Sequence, residues 1–283
     1  MRLLNTTTRK LKEVGDNKIP LYAILSHVWG ENEITFQDIE GAKAEKMIGY
    51  EKVRRTCSIS AADGFDYVWI DTCCIDKTSS AELSEAINSM YRWYQESGVC
   101  YAYLADVPPN AFSKSKWFTR GWTLQELIVP STVIFLDQKW QEIGTKSSLQ
   151  QVISEITGIP TNILLGGDLE GASVAQRMSW ASKRETARVE DLAYCLMGIF
   201  GINMPMLNGE GERAFTRIQE EIMKVSVDYS LFAWKSFENH GGLLATSPAA
   251  FLNSSEIIPF SPSSTLSGAI TVNNKGNSFE SPL

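Results

Sequence analysis

Three groups of polar side chains in this 283-residue sequence are placed where they could bind or cleave a ligand. Ser26 and His27 end one apolar segment, Asp71 ends a second, and Glu126 lies four residues after Trp122. Residues at i and i+4 share one face of a helix, so Trp122 would shield the Glu126 carboxylate from water. Such a carboxylate can stabilise a developing sugar cation. The alternative is that Trp122 packs in the core while Glu126 is solvated or paired with an arginine.

The other two groups also allow structural interpretations. Ser26 can cap the next segment while Trp29 fills a groove, and Asp71 can cap a helix beginning near Ser80 or pair with an arginine in the core. A Ser–His hydrolase is not favoured, because adjacent strand residues such as Ser26 and His27 point to opposite faces. The GxSxG motif of a nucleophile elbow is also missing from the sequence.

A mixed-charge segment around residues 183–191 supplies two further candidates. Arg184 and Arg188 are spaced i, i+4, and such a pair can clamp a diphosphate. The alternative, which we favour for this segment, is an internal network of salt bridges. The glycine-containing turn at residues 208–212 is not a phosphate-binding P-loop, and the chain has no GxxxxGK[ST] motif. We therefore expect no ATP or GTP hydrolysis.

The composition excludes several classes of function. A net charge of −7 argues against nucleic acid as the main partner, and no apolar run approaches the ~18–20 residues of a membrane span. Two histidines and five cysteines without CxxC spacing predict no metal site. An odd number of cysteines, with no leader pattern at the N-terminus, indicates reduced thiols and a cytoplasmic location.

Short apolar runs alternate with helical patterns in the first half of the chain. This alternation predicts a parallel sheet covered by helices, in which ligands bind at the carboxyl ends of the strands. The predicted strands are 22–26, 66–71, 99–104 and 132–136, and the predicted helices include 80–96 and 119–128.

The pattern becomes helical after residue 147. Helices are predicted at 149–156, 173–183, 189–200 and 210–224, followed by strands at 230–234 and 242–245. We expect one compact unit over 1–250, with an α/β core (1–140), a helical extension (141–226) and closing strands (227–250). Residues 251–283 have the Ser/Asn/Pro-rich composition of a linker or tail.

Four blocks together resemble a known family. They are YAILSHVWG (22–30), FDYVWIDTCCID (65–76), WFTRGWTLQEL (117–127) and RETARVEDLAYCLMGIFGINMPMLNGEG (184–211). In order and spacing they resemble the fungal heterokaryon incompatibility (HET) domain over about residues 1–225. The N-terminus and the DYSLFAWKS segment (228–236) are similar to vegetative incompatibility proteins of the HET–NACHT–WD-repeat type. Asn208 departs from the family, which has Tyr before Gly-Glu-Gly.

The resemblance implies a role in fungal non-self recognition, a form of innate immunity in which the activated domain triggers programmed cell death. It also implies a fold similar to the Toll/interleukin-receptor (TIR) domain: a flavodoxin-like, mainly parallel sheet flanked by helices, here with a C-terminal helical extension. GWTLQEL resembles a helix of the TIR domain. In active TIR domains, a Glu of that helix is required for NAD cleavage. Glu126 occupies that position in this sequence.

We therefore expect a NAD hydrolase that is activated by oligomerisation, with Glu126 as its catalytic residue. Nicotinamide leaves the pyridinium as a neutral group, so no general acid is needed and one carboxylate can suffice. NAD or a related dinucleotide is the expected substrate, with no cofactor; the expected partners are further copies of the chain and downstream NACHT and WD-repeat modules. The alternative is a non-enzymatic adaptor acting through homotypic contacts. The predicted substrate-binding residues are Ser26, His27, Trp29, Asp71, Arg120, Trp122, Arg184 and Arg188.

Overall fold

The computed structural model describes residues 1–15, 18–235, 242–259, 270–273 and 276–279. These residues divide into two units, Met1–Gly167 and Asp168–Leu283. None of the helices in these ranges is both long and apolar enough to cross a membrane.

The apolar runs of the first unit form a mixed seven-stranded sheet in the order β2-β1-β4-β3-β5-β6-β7. The strands β3 to β6 pair in parallel, whereas β1 and β7 pair antiparallel with their neighbours at the two sides. All five residues of β3 are buried, as expected for a parallel strand covered on both faces. The predicted α/β class with a mainly parallel sheet is confirmed. The strands are β1 (Arg2–Asn5), β2 (Leu11–Glu13), β3 (Ala23–His27), β4 (Tyr67–Trp69), β5 (Val99–Tyr103), β6 (Val133–Leu136) and β7 (Glu142–Thr145).

The chain reverses its winding direction in the middle of this sheet. It runs from β3 to β4 on one side and then returns across β3 to β5 and β6 on the other. In doubly wound sheets the ligand crevice opens at such a switch point, outside the carboxyl ends of the strands. Ser26 and His27 lie at that end of β3, opposite Ala102 and Tyr103 of β5.

Helices connect the strands of the first unit and continue after β7. The helix predicted at 80–96 has these bounds in the structure, and Ser79 caps its N-terminus by accepting a hydrogen bond from the Glu82 amide at 3.3 Å. Its buried face carries Met90, Trp93 and Tyr94. The helices are α1 (Phe36–Ile39), α2 (Tyr50–Ala62), α3 (Asp71–Cys74), α4 (Ser80–Glu96), α5 (Thr123–Ile128), α6 (Gln150–Thr157) and α7 (Thr161–Leu164).

Helix α5 begins later than the residue 119 predicted from the sequence. Residues Lys116–Thr119 form a separate 3-10 turn, and the Thr123 hydroxyl donates hydrogen bonds to the carbonyls of Trp117 (2.5 Å) and Arg120 (2.9 Å). These bonds tie the start of the helix to the preceding turn. All six residues of α5 are buried.

A buried lysine satisfies the other end of α5. Lys146 is 3% exposed, and its ammonium donates to the carbonyls of Leu127 (3.2 Å), Ile128 (3.1 Å) and Pro130 (2.5 Å). The last carbonyls of a helix have no partner within the helix, so the ammonium takes the place of water at this buried terminus.

The second unit is mainly helical, as predicted, but two of its predicted strands are wrong. Residues Tyr229–Phe232 form a 3-10 turn instead of a strand, because the Asp228 carboxylate accepts the Ser230 amide at 2.9 Å and bends the chain. Residues 242–245 contain no strand. The helices are α8 (Val174–Ala181), α9 (Asp191–Tyr194) and α10 (Arg213–Val225).

The segment predicted as a linker or tail contains a hairpin that the sequence analysis missed. Strands β8 (Ile270–Asn273) and β9 (Gly276–Phe279) pair antiparallel. Residues 260–269, 274–275 and 280–283 of that segment lie outside the described residues.

The role of Lys146 can be tested by replacing it with methionine. We expect Lys146→Met to lower the free energy of unfolding by about 1–3 kcal/mol, because buried carbonyls of α5 lose their donor. Denaturant-induced unfolding measures the loss. Lys139→Met is the matched control, since Lys139 is exposed in the β6–β7 turn. Equal stability of the two variants would contradict the assignment.

Candidate functional site

The best-connected polar group at the carboxyl end of β3 is Ser26. This residue is fully buried; its hydroxyl donates a hydrogen bond to the Glu126 carboxylate and accepts one from the Trp117 indole Nε1 at 2.7 Å. Ser26 therefore joins the central strand to α5 and to the turn before it.

Glu126 is 7% exposed, which is unusual for a carboxyl side chain. Burial raises its pKa to about 7, while hydrogen bonds from Ser26 and Tyr94 and the positive charge of Arg120 oppose that rise. The negative charge of Asp71 acts in the same direction as burial. Near neutral pH the Glu126 carboxyl therefore exchanges readily between its neutral and ionised forms.

His27 faces a different set of partners from those of Ser26. Its Nε2 lies 2.9 Å from Asp71 Oδ1, and its Nδ1 lies 2.9 Å from the Lys52 ammonium. An ammonium can only donate, so Nδ1 accepts and the ring proton resides on Nε2, which donates to Asp71. Burial lowers the pKa of His27, with the Lys52 charge adding to this effect. The structure therefore holds a neutral imidazole in one tautomer.

Asp71 links the buried histidine to the molecular surface. Its second oxygen accepts a hydrogen bond from the Trp29 Nε1 at 2.7 Å, and Trp29 is 44% exposed. Burial alone would raise the pKa of Asp71, but the His27 hydrogen bond and the charges of Lys77 and Arg120 outweigh it. The pKa is thus held below its usual range, and Asp71 stays ionised.

A close backbone contact positions the Lys52 side of this network. A Cβ atom on Gly49 would lie 1.7 Å from the Asn32 carbonyl oxygen, so only glycine allows the segment after β3 to pack here. That segment carries Glu33, which forms an ion pair with Lys52 and accepts the Gly30 amide at 2.7 Å.

Seven of the sequence-predicted residues lie in the first unit. Ser26 bonds to Glu126, His27 and Trp29 both bond to Asp71, and the Arg120 charge acts on both carboxyls. The indole that bonds to Ser26 is that of Trp117, whereas Trp122 is half-buried at the N-cap position of α5. The predicted contacts of these residues with a substrate stay a prediction.

Arg184 and Arg188 lie in the second unit, in the gap between the helices predicted at 173–183 and 189–200. Helix α8 ends at Ala181 and α9 starts at Asp191, so both arginines lie in an irregular segment. Arg184 is 6% exposed and donates through Nε to the Trp180 carbonyl at 3.2 Å. Arg188 is exposed. Their role in dinucleotide binding stays a prediction.

The glycine-containing turn of the second unit makes internal contacts. Arg188 donates to Asn208, the residue that departs from the family pattern, at 3.3 Å, and the Gly209 amide donates to Glu190 at 3.1 Å. Glu210 accepts hydrogen bonds from Tyr194 and Arg217. These carboxylates occupy donors that an external anion would need.

Sequence reasoning missed several members of the site. Trp117 begins the WFTRGWTLQEL block that contains Glu126, but the sequence did not indicate that its indole bonds to Ser26. Tyr94, Lys52 and Lys77 gave no local signal, since each is an ordinary residue of its own segment. Lys77 follows directly after the CCID sequence and was detectable only as a basic residue close to the end of β4.

Two family models match separate parts of the chain. Residues 22–112 match the family described as heterokaryon incompatibility protein (HET), and residues 213–279 match a domain of unknown function (DUF8212). The first match contains Ser26, His27 and Asp71 and ends before Glu126.

A curated fungal protein is similar over most of the chain. The vegetative incompatibility protein HET-E-1 of Podospora anserina is 46% identical over 231 residues, which are 76% of this chain and 17% of that protein. The chain thus spans less than a fifth of that relative. No solved structure matches the chain.

The raised pKa of Glu126 predicts a pH-dependent stability. Folding raises this pKa from 4.5 to about 7, so the stabilisation is complete below pH 4.5 and is lost as the pH rises through 7. Glu126→Gln lacks this titration. We expect the variant to gain about 2–3 kcal/mol relative to the wild type between pH 5 and pH 8, as measured by denaturant unfolding.

Glu51→Gln provides the control for this measurement. Hydrogen bonds from Arg54 and Arg55 lower the pKa of Glu51 to about 2, so its stabilisation is lost only as the pH falls below 4.5. The Glu51 comparison should therefore be flat between pH 5 and pH 8. An equally flat result for Glu126→Gln would show that the Glu126 carboxyl is not held at a raised pKa.

Proposed function

Because the chain carries a heterokaryon incompatibility (HET) domain, we propose that it is a cell-death effector domain in fungal vegetative incompatibility. Two facts support this role: the match of residues 22–112 to the HET family and the 46% identity to a vegetative incompatibility protein. The proposed trigger is recognition of a non-self partner, followed by activation of this domain.

The proposed activity is hydrolysis of NAD at the bond between nicotinamide and ribose. The observation that carries it is the buried Glu126 carboxyl, which has a pKa of about 7 and lies beside the carboxyl end of the central strand. In its ionised form Glu126 would hold the ribose hydroxyls and stabilise the positive charge that develops on the sugar.

The electron balance of this reaction suits a site with one such carboxylate. The C–N bond breaks with its electron pair going to nicotinamide, which neutralises the pyridinium and makes it a good leaving group. Water then adds to the ribose carbon and releases a proton. No general acid has to protonate the leaving group, and Glu126 acts as the stabilising anion.

A TIR-like fold is part of this proposal. The order of the parallel strands, β4-β3-β5-β6, is the order that a flavodoxin-like sheet has. Glu126 lies on α5, which follows β5, and this position agrees with the resemblance of GWTLQEL to the TIR helix.

Activation by clustering is part of the proposal because uncontrolled loss of NAD would kill the cell. A domain that depletes NAD must be quiet when alone, and attachment to an oligomerising platform would raise its local concentration. The matched region is only 17% of the length of that relative, which leaves room for NACHT and WD-repeat modules. We propose that such modules form the platform.

A non-enzymatic adaptor is the second candidate function. The observation that favours it is the same burial of Glu126: a carboxyl held by Ser26 and Tyr94 can serve purely to join β3, α4 and α5. In that case the domain would signal through contacts between copies, and Glu126 would matter only for folding.

Nicotinamide release by clustered protein tests the enzymatic proposal. Wild-type protein fused to an oligomerising module is incubated with NAD, and nicotinamide is quantified by chromatography. We expect Glu126→Gln to lower the rate by about 10²–10³, because one stabilising group is lost from the transition state. The wild-type rate should rise with pH through about 7, since the ionised carboxyl is the active form.

Glu155→Gln is the matched control, because Glu155 is exposed on α6 and should leave the rate unchanged. Equal rates for wild type and Glu126→Gln would exclude Glu126 as the catalytic residue. If clustered wild type and Glu126→Gln kill cells equally and neither releases nicotinamide, the adaptor is the correct function.

A further inference from the structure

Two cationic side chains lie against the exposed indole at the carboxyl end of β3. The Lys77 ammonium is 3.5 Å from the centre of the Trp29 ring, and the guanidinium carbon of Arg120 is 5.3 Å from it. The indole itself is fixed by its hydrogen bond to Asp71. One rigid aromatic surface thus brings two positive charges together at the rim of the candidate site.

Holding these charges together is unfavourable without a counter-ion. Burial lowers the pKa of Lys77, and the charge of Arg120 lowers it further, whereas Asp71 counteracts both. Asp71 already accepts hydrogen bonds from His27 and Trp29. An anion bound at the rim would interact favourably with both cations.

The segment that carries Lys77 is braced independently of the site. The Asp76 amide donates to Glu82 at 2.8 Å, and Glu82 is paired with Arg2 of β1. The Asp76 carboxylate accepts hydrogen bonds from the Thr78 amide at 3.0 Å and from Gln37 at 2.7 Å. The backbone that carries Lys77 is therefore fixed before any ligand arrives, and the Lys77 ammonium already lies on the Trp29 ring, which lowers the entropic cost of binding.

We propose that Lys77 and Arg120, arranged on the Trp29 indole, form a binding site for the diphosphate bridge of a dinucleotide. This inference rests on the proposed function for the identity of the dinucleotide, and it assigns the anion to the first unit.

Charge favours a diphosphate over a carboxylate, and position favours a nucleotide. Two neighbouring cations match the two negative charges of a diphosphate better than the charge of a carboxylate. The rim lies at the switch point of the sheet, where doubly wound folds bind nucleotides. The Arg120 charge also acts on Glu126, so a ribose attached to the bound diphosphate would adjoin the buried carboxyl.

Isothermal titration with non-reacting ligands tests this site. Wild type, Lys77→Met, Lys77→Arg and Lys12→Met are titrated with pyrophosphate, ADP-ribose and adenosine monophosphate. We expect Lys77→Met to bind pyrophosphate and ADP-ribose about 10- to 100-fold more weakly, whereas Lys77→Arg keeps the charge and stays within about threefold. Adenosine monophosphate should bind wild type more weakly than ADP-ribose does.

Lys12→Met is the matched control, since Lys12 also lies over an aromatic ring, that of Tyr67 at 4.9 Å, but belongs to the edge strand β2. Its affinities should equal those of the wild type. Wild-type affinity in Lys77→Met, or no binding of pyrophosphate and ADP-ribose to wild type, would overturn the site. Circular dichroism of each variant establishes that a lost affinity is not a lost fold.

These outcomes separate the anion site from the proposed activity. If Lys77→Met loses ADP-ribose binding while clustered wild type releases no nicotinamide, the diphosphate site stands and the glycohydrolase fails. If NAD is cleaved through Glu126 but Lys77→Met binds ADP-ribose normally, the activity stands and the diphosphate site fails.

Discussion

The hydrogen bond between Ser26 and Glu126 is the interaction on which the site depends. It crosses from the central strand to α5 in the interior of the first unit, where a carboxyl without partners would be strongly destabilising. Two further hydrogen bonds stabilise the pair: the Trp117 indole donates to Ser26, and the Tyr94 hydroxyl bonds to Glu126. Burial between β3 and α5 raises the pKa of Glu126 to about 7. The packing of these two elements therefore determines at which pH the carboxyl is ionised.

Side chains alternate between the two faces of β3, and this separates a buried hydrogen-bond network from one that reaches the molecular surface. Ser26 belongs to the buried network, while His27, one residue later, leads through Asp71 to the exposed indole of Trp29. Arg120 acts electrostatically on the carboxyls of both networks, so it couples them without requiring a shared hydrogen bond. The central strand therefore bonds through Ser26 to the protonatable carboxyl of α5 and leads through His27 to the charged rim.

The spacing of apolar residues predicted helices and strands well where one face of the element is buried. The helix from Ser80 to Glu96 has the predicted bounds, because its apolar residues recur at helical spacing and Ser79 supplies the cap. The strand predicted at 230–234 failed, because the Asp228 side chain captures the following amide and turns an apolar run into a 3-10 turn. Arg184 and Arg188 lie between α8 and α9, as the predicted break between the helices at 173–183 and 189–200 requires.

The sequence by itself predicted the α/β class, carried the resemblance to the HET family and singled out Glu126, since these depend on periodicity, motif order and residue chemistry. It also placed Ser26 and His27 at the end of a strand, whereas Asp71, predicted to end the next strand, begins α3 two residues after β4 ends. Only the tertiary structure decided that Trp117 is the indole bonded to Ser26, that Lys52 fixes the His27 tautomer and that Lys77 lies on Trp29. The physical reason is that burial, protonation and charge pairing arise between residues far apart in the chain. Such contacts leave no trace in the local pattern of either segment.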